Sequence, residues 1–253
     1  AIWLDIEAKI LWWGDLEEPV LPWGNIEITV FNPDITPPSV SIMSPKDGDA
    51  IQGTVKLIVS AEDNAEIAKV EIYIDGSKVG TDEFWPYIWN WDTTEWSEGE
   101  HTLKAIAYDL SGNTNYDVIN IIIDQSAPTL TDIDFGPESP TPEDKVSVSC
   151  SASDEESGIK EVNLYYSTDG GDTWTKVLMI RTDGSSYEGN IPKQDDGAIV
   201  HFYVEAIDKA GNIQKSDTQS FTVRAPPPNL LPYIGVGAIA AIIILVLIKV
   251  LRK

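Results

Sequence analysis

The sequence predicts an all-β chain of two tandem β-sandwich modules followed by one C-terminal transmembrane α-helix. Three observations carry that expectation. Short runs rich in Val, Ile and Tyr are punctuated by Asp-Gly, Ser-Gly and Gly-Asn, with no helical periodicity before residue 230. The pattern repeats once along the chain. The segment Leu230–Ile248, LLPYIGVGAIAAIIILVLI, contains no charged residue.

Taken in order, residues 1–35 begin with AIWLDIEAKILWW, whose Asp5, Glu7 and Lys9 are foreign to a signal peptide. Gly24 to Asn32 alternates like a strand and runs into Pro33-Asp34-Ile35-Thr36-Pro37-Pro38, so this stretch reads as the last strands of a preceding module. The expectation is that a signal peptide has been removed or that the chain is the C-terminal part of a longer protein. Residues 36–125 and 126–225 form the repeat. Ser60-Ala61-Glu62-Asp63 followed by Ile67–Ile74 recurs as Ser151-Ala152-Ser153-Asp154 followed by Ile159–Tyr166. Ala105–Asn113, ending Asp-x-x-Gly-Asn, recurs as Val204–Asn212. Each copy supports about seven strands. Residues 226–253 comprise a Pro-rich linker, the apolar span at about 230–248, and a basic tail.

At 1.5 Å per residue the span reaches roughly 28 Å, which matches a bilayer core. The Ile, Leu and Val side chains between Ile234 and Ile248 favour insertion by about 3–6 kcal/mol in sum. Lys249, Arg252 and Lys253 follow it, so the positive-inside rule places the C-terminus in the cytoplasm and everything before Leu230 outside the cell. Leu231-Pro232-Tyr233-Ile234-Gly235 resembles a sortase sorting signal, but Ile234 stands where that signal has Thr, which argues for retention of the span.

The charge balance restricts partners. Forty-one Asp and Glu against seventeen Lys and Arg give a net charge of −24, which repels phosphate backbones and anionic headgroups. Nucleic acid is excluded as a partner; cations remain allowed. The single cysteine, Cys150, cannot form an internal disulfide, and it shares the parity of Val146, Val148 and Ala152, the expected buried face of a strand. No Asn-x-Ser/Thr sequon is present.

The densest aromatic stretch is Glu83–Thr93, EFWPYIWNWDT. Tyr87, Trp89 and Trp91 share one parity and are expected in a core, where large rings compensate for the missing disulfide. Phe84, Trp85 and Ile88 are less well explained by burial and form a candidate ligand or partner patch.

With these residues in view, DITPPSVSIMSPKDGDAIQGTVKLIVSAEDNAEIAKVEIYIDGSKVG, PYIWNWDT and GEHTLKAIAYDLSGN resemble the bacterial and archaeal Ig-like repeats of cell-surface proteins. The second module resembles the same family or a fibronectin type III relative. The resemblance implies Ig-like sandwiches that serve as stalks, adhesion units or accessory domains, without shared catalytic residues. Ser167–Trp174 also matches the Asp-box pattern of sialidase-like propellers, read here as a hairpin: Asp169 accepts turn amides and Gly170 and Gly171 supply positive φ. His101 and His201 both precede the strand leading to an Asp-x-x-Gly-Asn turn, which suggests equivalent structural positions rather than a metal pair. No catalytic constellation or cofactor motif is recognisable.

One concrete site is suggested by the carboxylates. The loops after the second strand and before the last strand lie at the end where the chain enters a sandwich. Asp34, Asp63 and Asp109, and likewise Asp124, Asp154 and Asp208, are therefore candidate calcium ligands at the module junctions, where an ion would stiffen a stalk. The alternative is that Asp109 and Asp208 only accept turn amides. The expected function is a single-pass, membrane-anchored extracellular repeat protein acting as stalk, adhesion or scaffold module, not an enzyme, with a surface protein or glycan as ligand. Two other readings are the membrane-proximal stalk of a larger secreted hydrolase, such as a protease, and a carbohydrate-binding module using Phe84 and Trp85.

Overall fold

Period-two alternation of β-branched and aromatic residues makes strands, and each strand then has one apolar face that must be covered. In the computed structural model, which describes residues 34–227, two packed pairs of sheets meet this need. The chain divides into two units, residues 1–35 and 36–253, and both pairs of sheets belong to the second.

The first sandwich contains β1 (Ser39–Ser44), β2 (Ala50–Ile51), β3 (Thr54–Glu62), β4 (Ile67–Ile74), β5 (Ser77–Asp82), β6 (Tyr87–Asp92), β7 (Gly99–Asp109) and β8 (Thr114–Ile123). One sheet has the order β1-β3-β6 and the other β2-β8-β7-β4-β5. Every pairing is antiparallel except β2 with β8. Leu57, Val59, Tyr87 and Trp91 from the smaller sheet meet Val70, Ile72, Ile74, Leu103, Ala105 and Ile121 from the larger one in a single core. After β6, Asp92 Oδ1 accepts the Thr94 amide at 3.0 Å and caps a short 3-10 turn, Thr93–Glu95.

The second sandwich repeats the plan with β9 (Thr129–Gly136), β10 (Val146–Ser153), β11 (Ile159–Ser167), β12 (Thr175–Leu178), β13 (Ile180–Asp183), β14 (Ser186–Ile191), β15 (Ile199–Asp208), β16 (Ile213–Lys215) and β17 (Gln219–Thr222). Its sheets run β13-β14-β10-β9 and β12-β11-β15-β16, with β17 also paired to β15. Val146, Val148, Cys150 and Ala152 all point inward, as their parity requires, and Phe202, Leu164 and Val204 face them. Burial pushes the Cys150 thiol up to about 11, the chemistry of a core residue rather than a nucleophile.

The last strand is interrupted between β16 and β17. There the Ser216 hydroxyl accepts the Val204 amide at 3.0 Å and the Ser216 amide donates to the Val204 carbonyl at 2.9 Å, so the ladder partner of β15 is replaced locally by a serine. Among the described residues no helix is long and apolar enough to cross a membrane. The segment expected to span, Leu230–Ile248, lies outside them, as do residues 1–33.

Candidate functional site

The two Asp-x-x-Gly-Asn turns close in the same way. The Asp109 amide donates to the Asn113 carbonyl at 3.1 Å, and the Asp208 amide to the Asn212 carbonyl at 3.2 Å. Gly112 and Gly211 sit at φ of 90° and 98°, a region open to glycine without steric cost. In both turns the aspartate oxygens accept following amides: Asn113 N at 2.8 Å for Asp109, and Gly211 N and Asn212 N at 2.6 and 2.8 Å for Asp208. The structure thus contains the turn-capping bonds that the simpler alternative describes.

The remaining oxygens differ between the two turns. In the first module the Asn113 side-chain amide donates to Asp109 Oδ2 at 2.7 Å. In the second, the Asn212 amide turns away and donates to the Asp124 backbone carbonyl at 2.9 Å, joining the modules. Asp208 Oδ2 is left buried without a hydrogen-bond partner among the described residues, and so is Asp124 Oδ2. Both side chains have no solvent exposure. One carboxylate oxygen from each of Asp124, Asp154 and Asp208 lies within 4.8 Å of the others.

Each of the three comes from a different element. Asp124 directly follows β8 and begins the linker; its amide donates to the Ile51 carbonyl at 3.1 Å. Asp154 directly follows β10, and its Oδ1 accepts the Ser157 and Gly158 amides at 2.9 and 2.7 Å. Asp208 ends β15. Burial above all, with the neighbouring Asp154 and Asp208 charges adding to it, pushes the Asp124 carboxyl above the usual carboxylate range; the Ser157 hydroxyl and the Ser126 amide partly offset this.

The linker itself is held. Gln125 donates from its side-chain amide to the Thr93 and Trp96 carbonyls at 3.0 and 3.3 Å, and Glu98 Oε1 accepts from Gln125 N and Ser126 Oγ at 3.0 and 2.8 Å. Beside it opens an acidic cleft of about 270 Å³, lined by Glu98, Asp154, Glu155 and Glu156 together with Ser126 and Thr129. Sequence reasoning missed Glu98, Ser157 and the bridging role of Asn212, because nothing local marks a side chain that reaches a neighbouring module.

In the first module Asp63 Oδ2 accepts the Ala65 amide at 2.8 Å, and Asp109 is buried with Asn113 on both oxygens. Asp34 belongs to the other unit, residues 1–35.

The aromatic stretch divides. Tyr87 and Trp91 are in the core, while Phe84 and Trp85 are 77% and 79% exposed and Ile88 is exposed beside them in sequence. Trp89 is only half-buried, a departure from the core expectation: β6 is the edge of the three-stranded sheet, and the indole packs against Gly80 of β5 at the rim. Both histidines lie inside their strands rather than before them. His101 is wedged between Asp75 Oδ2 at 2.7 Å and the Ser97 carbonyl at 2.8 Å.

Asp169 organises the β11–β12 hairpin by accepting from Ser167 Oγ, Thr173 Oγ1 and Thr173 N at 2.6, 2.5 and 3.0 Å, and these donors hold its carboxyl well below the usual range. Trp174 packs edge-on against Tyr203, with ring centroids 4.8 Å apart.

Comparison with known proteins supports this architecture. The model of the bacterial Ig domain family matches residues 38–105. The fibronectin(III)-like modules of Clostridium thermocellum CbhA are similar in fold: 19% identity, TM-score 0.53, covering 74% of this chain and 94% of that one. The FN1–FN3 domains of chicken CNTN1 are likewise similar, at 16% identity and TM-score 0.52, covering 75% of this chain and 68% of that one. No curated protein matches the chain in sequence. The described chain thus has the Ig-like, fibronectin III-like β-sandwich fold in tandem.

Proposed function

We propose that the chain is a non-catalytic stalk or scaffold of the cell surface, held by a single membrane span at 230–248 with the basic tail in the cytoplasm. The observation that carries this reading is the joint. Two sandwiches with separate cores are connected through Asp124, Gln125 and Ser126, and those three residues are hydrogen-bonded to the first module while Asp124 also accepts from the second. A linker held at Asp124, Gln125 and Ser126 transmits orientation, which suits a spacer better than a tether. The strongly acidic surface keeps such a spacer soluble.

The test is protease treatment of intact cells that express the chain, followed by separation of membranes. Fragments from residues 36–225 should be released while the C-terminal fragment stays with the membrane. Complete protection of these residues, or recovery of the untreated chain in the soluble fraction, refutes the proposal.

A further inference from the structure

We propose that Asp124, Asp154 and Asp208 hold one calcium ion that clamps the second module to the end of the first. Three features of the site require a cation. Asp124 Oδ2 and Asp208 Oδ2 are buried acceptors with no donor among the described residues, an arrangement that costs free energy unless something positive faces them. The oxygens span no more than 4.8 Å, which fits within the roughly 5 Å across a calcium–oxygen shell. Three carboxyl groups meet on one spot without an ion pair to any of them, since the salt bridges among the described residues all lie elsewhere.

The choice of ion follows from the donors. All are hard oxygens, and each carboxylate is already oriented by turn amides on one oxygen, so the second is presented without further ordering. Magnesium demands a smaller octahedron and keeps its waters, and it suits a carboxylate-dense buried pocket less well. The acidic cleft at Glu98, Glu155 and Glu156 attracts cations to Asp154, the partly exposed member of the three.

The consequence is mechanical. Asp124 is continuous with β8, Asp154 with β10 and Asp208 with β15, so one ion ties the last strand of the first sandwich to both sheets of the second. The first module's Asp109 differs because Asn113 already donates to both of its oxygens. The inference rests on the surface reading only for its supply of ion, since extracellular modules bind calcium at about 10⁻⁴–10⁻³ M.

The experiment uses the purified chain in detergent, stripped with a chelator and titrated with calcium chloride or magnesium chloride, followed by calorimetry and thermal melting. Calcium at about ten times its dissociation constant should raise the second module's melting temperature by roughly 5–10 °C. Asp208→Asn and Asp154→Asn should each abolish that rise and remove one bound ion relative to the parent. Asp144→Asn, at a turn carboxylate that accepts from Thr141 and lies before the start of β10, the opposite end of that strand from Asp154, should leave it intact.

Asp154 is partly exposed, so its variant keeps the fold, checked by circular dichroism. The proposal is overturned if the parent shows no calcium-dependent change up to about ten millimolar, if both variants retain the full effect, or if magnesium works equally well. Failure of the cell-surface test with calcium binding intact would refute the proposed location alone.

Discussion

Glu71 offers the most quantitative test of how these sandwiches are held together. It lies on the outer face of β4, yet it is only 4% exposed. Its Oε1 accepts from Lys69 Nζ at 2.8 Å and Lys78 Nζ at 2.6 Å, and its Oε2 from the Tyr73 and Tyr108 hydroxyls at 2.9 and 3.1 Å. These donors, Lys69 first, lower its pKa from 4.5 to about 2. A shift of that size corresponds to about 3 kcal/mol of stability at neutral pH. The lysine side chains are 36% and 46% exposed, so solvent screening reduces the expected loss in Glu71→Gln to about 1.5–2 kcal/mol.

The sign follows from the direction of the shift. A carboxylate whose folded pKa is depressed contributes its stability above the unfolded value, and that contribution is lost as pH falls from about 4.5 through about 2. Urea unfolding of the first module should therefore show a gap between parent and Glu71→Gln at pH 7 that closes by pH 2. Taking the difference cancels the acid sensitivity common to both proteins, including that of Asp75 and Asp92, whose pKa values are also lowered. Equal stability at pH 7, or a gap that persists unchanged at pH 2, would refute the reasoning.

Two further outcomes test the packing. Gly80→Ala would place a Cβ 2.7 Å from Trp89 Nε1 and 3.1 Å from its Cδ1, so the indole must move from the rim of the sandwich. A loss of about 1–3 kcal/mol is expected, with altered tryptophan fluorescence; an unchanged melting temperature would show that Trp89 is free to yield. Cys150 is 3% exposed with a thiol pushed up to about 11, so a thiol reagent at pH 8 should label it only after denaturation. Stoichiometric labelling of the folded protein would contradict its place in the core.

Much of this architecture is written locally. Val146, Val148, Cys150 and Ala152 declare a buried strand face because a pleated strand turns alternate side chains to opposite sides, whatever surrounds it. The two Asp-x-x-Gly-Asn turns are legible for the same reason: an aspartate accepting the amide four residues ahead, and a glycine at positive φ, are properties of five consecutive residues. Trp89 marks where such reasoning stops. It shares the parity of Tyr87 and Trp91, but parity gives the face of a strand and not its place in the sheet, and β6 stands at an edge.

The sequence by itself determined two β-sandwich repeats and the buried cysteine, set Phe84, Trp85 and Ile88 apart from the core as a candidate patch, and grouped Asp124, Asp154 and Asp208 as one candidate set. Only the tertiary structure decided which of their oxygens lack a donor. Asn113 and Asn212 occupy the same place in the same pentapeptide pattern, yet one amide closes on its own aspartate and the other crosses to the Asp124 carbonyl. A side-chain amide takes whichever acceptor lies within reach, and at the second turn that acceptor is supplied by a residue 88 positions away in sequence.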